Sequence, residues 1–83
     1  MDSNQNEWTD RVRLLIAEAL QADAAEVTAQ LNFGDLPQWD SMGHMEVMLL
    51  LEERYGVEVS ADTIAALTSV EAISNYLKEN GHA

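Results

Sequence analysis

The sequence predicts an all-α fold: a four-helix bundle of three longer helices and one short one, with a long ordered loop between the first and the second. Three observations predict it. Apolar residues recur at helical spacing in separate segments, and polar residues able to cap a helix stand at the heads of those segments. The chain also has no internal repeat, low-complexity tract or linker, so its 83 residues make one domain, 1–83.

The first helix is expected to follow a polar leader at residues 1–7 that frays, with Thr9 as its cap and Val12, Leu15, Ile16, Ala19 and Leu20 as its core stripe. Residues 21–40 carry no long periodic pattern, which in a compact domain calls for an ordered loop. Asp23-Ala24-Ala25-Glu26 can open a short turn, while Val27, Leu31, Phe33 and Leu36 can pin the loop across the helix ends. Gly34 and Pro37 punctuate it. The second helix starts at Asp40 or Ser41, both good N-caps, and ends at Gly56, the expected left-handed cap, with Arg54 in its last turn. Val57-Glu58-Val59 is then a short extended link. Ser60 caps a short third helix over residues 61–67, with Ile64 and Leu67 inward and stability that depends on packing. Thr68-Ser69-Val70-Glu71 reads as a capping box opening the last helix, whose stripe is Val70, Ile73 and Leu77 with Tyr76 at its edge. Residues 80–83 are expected to fray.

Charge and size exclude several functions. Fifteen acids against four basic residues give a net charge of −11, which disfavours nucleic acid and favours partners with basic patches. There is no cysteine, hence no disulfide, thiolate nucleophile or cysteine-bound metal. No apolar run approaches a membrane span, and the polar beginning is unlike a secretion signal, so a cytoplasmic monomer is expected. A core this small leaves no second lobe for a substrate pocket.

The informative stretch is residues 39–55, WDSMGHMEVMLLLEERY. On a wheel of about 100° per residue, His44, Val47, Met48, Leu51 and Tyr55 share the core side. Met42 and Leu49 fall on the far side among Glu46 and Glu53 and should be exposed. Met48 goes to the core, Met42 to the surface and Met45 to the boundary. Exposed apolar residues rimmed by acids mark a surface read by another protein. Beside them Ser41 stands at a helix N-terminus, where an attached phosphodiester would meet unpaired N–H groups and partial positive charge.

Asp40-Ser41-Met42, continued by Glu46, Leu51, Glu52, Glu53 and Tyr55, then by Val57-Glu58-Val59 and Thr68-Ser69-Val70, resembles the acyl carrier protein family from about Trp8 to Leu77. The resemblance implies a carrier that is not itself an enzyme. In such proteins the serine of an Asp-Ser-Leu motif bears 4′-phosphopantetheine, taken covalently from coenzyme A. Carried over, Ser41 is the attachment site and Asp40 its motif partner, while Trp39, Met42, Glu46, Leu49, Glu52 and Glu53 form the partner-binding surface. The implied partners are a phosphopantetheinyl transferase, an acyl- or aminoacyl-loading enzyme, and a downstream synthase or transferase with a basic docking patch. Such carriers serve fatty acid or polyketide biosynthesis and secondary metabolism. Trp39 and Gly43 depart from the common fatty-acid pattern, and the Asp-Ser-Met-Gly run is similar to stand-alone D-alanyl and glyceryl carriers.

Three other readings compete. On position alone Ser41 is simply a helix cap. A Ser41–His44 dyad would need an orienting group, an oxyanion hole and a dry pocket that 83 residues do not supply. A calcium loop fails for want of alternating oxygen ligands with glycine at the sixth position, and His44 and His82 make no metal site. The alternative function class is an unmodified acidic helical adaptor that binds one partner through Met42 and Leu49.

Overall fold

The computed structural model describes residues 3–80. Its elements are α1 (Ser3–Leu20), a 3₁₀ turn (Ala24–Glu26), α2 (Ser41–Tyr55), α3 (Ala61–Ala66) and α4 (Val70–Glu79). Three long helices and a short one therefore stand in the expected order, with the long loop between α1 and α2.

Helix α1 starts six residues ahead of the expected Thr9 cap. Nothing between Ser3 and Thr9 breaks a helix, so residues 3–7, expected to fray, form its opening turns. The other residues expected to fray, 1, 2 and 81–83, lie outside the described residues, and Asn80 caps α4 through a backbone bond to Tyr76. The stripe of α1 buries Val12, Leu15, Ile16 and Leu20 and adds Trp8 and Ala17, with Ala19 half-buried. Trp8 meets Tyr55 of α2 edge-on at 5.6 Å, and Leu20 meets Gly43 at the start of α2, so the two helices run antiparallel. Helix α4 packs on the same α1 through Val70, Ile73 and Leu77, all fully buried, while α3 leans on α2.

The caps follow the local chemistry. Gly56 takes φ 69° and its N–H, with that of Val57, closes the carbonyls of Glu52 and Leu51, a conformation costly for residues with a Cβ. Ser60 and Thr63 form a reciprocal capping box on α3. At α4 the cap is Ser69, not Thr68: its hydroxyl accepts from the Ala72 N–H, and because Ala72 cannot reply there is no box. Thr68 is occupied otherwise, its carbonyl accepting from the Phe33 N–H at 2.8 Å, while Val70 N–H donates to Leu31. This pair of bonds stitches the middle of the long loop to the head of α4. Val27 and Leu31 are buried beneath the loop and Leu36 half-buried, as expected, but Phe33 stays largely exposed because the stitch holds its backbone at the surface. Among the described residues no helix is long and apolar enough to cross a membrane.

Candidate functional site

The loop delivers the chain to α2 through a tight set of contacts. Trp39 N–H donates to Leu36, and Gly34 N–H donates to Trp39, closing the turn that holds Pro37. Asp40 then caps α2: its carboxylate accepts from the Gly43 N–H at 2.9 Å, and its backbone carbonyl accepts from the His44 N–H at 2.7 Å. Of the two candidate caps it is therefore Asp40 that does the capping, and Ser41 is the first helical residue. The division matters chemically, because a capping hydroxyl is committed to a backbone N–H whereas that of Ser41 is not.

Three other serines show the contrast. Ser60 and Ser69 are spent as caps, and Ser74 is buried with its hydroxyl donating to the Val70 carbonyl at 2.7 Å. Ser41 is exposed, and among the described residues its hydroxyl takes no hydrogen bond. Its setting is the first turn of a fifteen-residue helix, whose opening N–H groups have no partner within the helix.

Trp39, expected on the partner surface, is fully buried. The correction has a clear cause: its indole N–H donates to His44 Nδ1 at 3.0 Å, giving the ring a polar partner inside the core. His44 in turn is buried, and its Nε2 bonds the Ile64 carbonyl at 2.8 Å. An indole nitrogen can only donate, so Nδ1 is the acceptor and the imidazole proton sits on Nε2, facing Ile64. Both nitrogens are then committed. No lone pair is left to take a proton from Ser41, which removes the dyad.

A cleft of about 340 Å³ opens beside Ser41, lined by Phe33, Ser41, His44, Met45, Ile64 and Thr68 and almost wholly apolar. Phe33 stands edge-on to His44 at 5.4 Å and forms one wall. A larger groove lies against α1 near Thr9 and Thr28, but its guanidinium, Arg13, is already tied to the carbonyls of Val27 and Ala24 and to Asp10.

Down α2 the wheel gives the right faces. Val47, Met48 and Leu51 are buried, whereas Met42 is 80% and Leu49 49% exposed. Met45, placed at the boundary, is nearer the surface at 38%. Glu46, Glu52 and Glu53 are all exposed around them. Arg54, also on this helix, is turned to α1 by its ion pair with Glu18. The hydrogen bond to Glu18 and that carboxylate's charge raise Arg54 above its ordinary range.

Reasoning from sequence missed two members of this neighbourhood. The Trp39–His44 bond had one signal, an indole five residues before a histidine on a core stripe. Gly43 had none: its Cα lies so close to the Gln38 carbonyl oxygen that a Cβ would overlap it, and a Cβ would also sit 2.9 Å from Leu20 Cδ2.

Comparison with known proteins agrees with this geometry. Residues 10–77 match the family described as the phosphopantetheine attachment site. An acyl carrier protein of Helicobacter pylori, in each of two strains, is 32% identical over 69 residues, 83% of this chain and 88% of the relative. An acyl carrier protein of Thermosynechococcus vestitus is 27% identical over 74 residues, covering 89% and 91%.

Proposed function

This chain belongs to the acyl carrier protein family, and from that premise we propose that Ser41 receives the prosthetic group and that the loaded carrier presents an acyl or aminoacyl cargo to partner enzymes. Family membership makes the chain a carrier and not an enzyme, with covalent 4′-phosphopantetheine as its cofactor. The single observation that supports Ser41 is its uncommitted hydroxyl: it is exposed, while those of Ser60, Ser69 and Ser74 are capping or buried.

The residues present fit the group. Asp40 takes over the capping that would otherwise occupy Ser41. Asp40 takes the Gly43 N–H, and the N–H groups of Ser41 and Met42, left without a partner among the described residues, favour a phosphodiester on the serine oxygen. In attachment, Ser41 Oγ forms a bond to the pantetheine-bearing phosphorus of coenzyme A and the anhydride P–O bond breaks. Adenosine 3′,5′-bisphosphate leaves, and the hydroxyl proton passes to a base of the transferase. The arm supplies a thiol on which cargo is held as a thioester.

Everything else the carrier does is presentation. Tethering raises the effective concentration of the cargo at each partner site. Met42, Leu49, Glu46, Glu52 and Glu53 form the surface on which a phosphopantetheinyl transferase, a loading enzyme and a downstream synthase or transferase dock with basic patches. The carboxylates steer the encounter and the apolar pair is buried in it. The carrier works as a monomer in the cytoplasm.

Because the chain has no cysteine, the protein carries no thiol of its own once it is separated from coenzyme A and the transferase. Incubation with coenzyme A and a broad-specificity transferase should create one titratable thiol per chain, and Ser41→Ala should create none. A wild-type protein with no thiol, where a control carrier gains one, would sink the proposal.

A further inference from the structure

Three successive residues ahead of Ser41 are each fastened to the first turn of α2. The Gln38 carbonyl lies against Gly43, in space that only a glycine leaves open. The Trp39 indole donates to His44 Nδ1 at 3.0 Å. Asp40 accepts from Gly43 with its carboxylate and from His44 with its carbonyl. His44 also reaches across to α3. Ile64 lies in the last turn of that six-residue helix, and its carbonyl accepts from His44 Nε2–H at 2.8 Å. One buried neutral imidazole thus joins the loop, α2 and α3 around the serine. A phenyl ring of similar shape would leave a buried indole N–H and a carbonyl unpaired, so packing alone does not account for a histidine here.

We infer that His44 is a positioning residue for the modification of Ser41: its two ring hydrogen bonds hold residues 38–40 and α3 in register with the first turn of α2, and thereby hold the serine hydroxyl in one place. The inference rests on the reading of Ser41 as the attachment site. Its force comes from geometry. The attacking oxygen must lie in line with the breaking anhydride bond, and a misplacement of about 1 Å costs on the order of 100-fold in rate. The Ser41 hydroxyl has no hydrogen bond to fix it among the described residues, so the clamp immediately before it sets where its backbone stands.

The test is transferase kinetics with coenzyme A on wild type, His44→Phe, His44→Gln and Trp39→Phe, each well below its melting temperature. In parallel, ¹H–¹⁵N spectra follow the Trp39 indole N–H. His44→Phe and Trp39→Phe should lower kcat about tenfold or more with KM for the carrier within about twofold, the pattern of a lost transition-state interaction. His44→Gln, which offers one acceptor and one donor, should recover part of the loss. A role in stability alone gives another pattern: fewer folded molecules, a higher apparent KM and an unchanged kcat. The indole N–H should exchange slowly with water in wild type and rapidly in His44→Phe. Should His44→Phe fail to fold, Trp39→Phe, which unpairs a single nitrogen, decides the matter. Wild type modified, with kcat unchanged in the folded variants, overturns the inference alone; wild type unmodified overturns the reading of Ser41 and this inference with it.

Discussion

Leu49→Glu and Leu51→Glu, the same change two residues apart on α2, should have opposite consequences. Leu49 is 49% exposed and Leu51 fully buried. Full burial of a leucine is worth about 1.5–3 kcal/mol, so roughly half of that is at stake at Leu49, and the methylene stem of glutamate retains part. The expected loss is about 1 kcal/mol, a drop in melting temperature of about 4–8 °C for a domain of this size. At Leu51 the new carboxyl meets no described polar partner on a core face made by Val47, Met48 and the α1 stripe. Burying it costs several kcal/mol whether it stays charged or takes a proton. Against a total stability on the order of 4–12 kcal/mol for a domain of this length, Leu51→Glu should be largely unfolded at 37 °C. Circular dichroism melts beside transferase rates separate docking from folding: Leu49→Glu should melt cooperatively yet be modified far more slowly. The defect should persist at high salt, because steering is screened there while the lost apolar contact is not. If Leu49→Glu melts as early as Leu51→Glu, or is modified at the wild-type rate, the recognition face drawn on α2 is wrong.

Two further outcomes follow from the charge and from the loop. Moderate salt should raise the melting temperature, since a net charge of −11 on so small a domain places carboxylates within roughly 10 Å of one another, the screening length at 0.1 M; a flat salt series would contradict the repulsion. Gly43→Ala should destabilise by about 1–2 kcal/mol although alanine is the better helix former by about 1 kcal/mol, because its Cβ overlaps the Gln38 carbonyl in a loop anchored by Trp39; a stabilised variant in denaturant titration would show that the loop gives way freely.

The helices were legible because their signals are local. A stripe at Val12, Leu15, Ile16 and Leu20, a glycine at 56 and a capping serine at 60 each act within a turn or two of the chain. The wheel placed Met42 and Leu49 outside and Met48 inside for the same reason. What escaped depends on contacts between segments. Whether Trp39 points out or in cannot be told from a loop without periodicity; its burial follows from the His44 nitrogen that receives it. Phe33 read as an anchor because it is large and apolar, yet the backbone stitch to Thr68 holds it at the surface. Gly43 looked like a mere departure from a pattern until the path of residues 34–40 showed what crosses it. The division of labour between Asp40 and Ser41 was ambiguous for another reason: both side chains are good caps, and only the bond to the Gly43 N–H assigns the task.

Fragmentation mass spectrometry of the protein after reaction with coenzyme A and a phosphopantetheinyl transferase tests the central claim most directly. The account predicts one added phosphopantetheine, located on Ser41 and absent from Ser41→Ala. An added group on Ser60 or Ser69, or an unchanged wild-type mass under conditions that modify a control carrier, would contradict it.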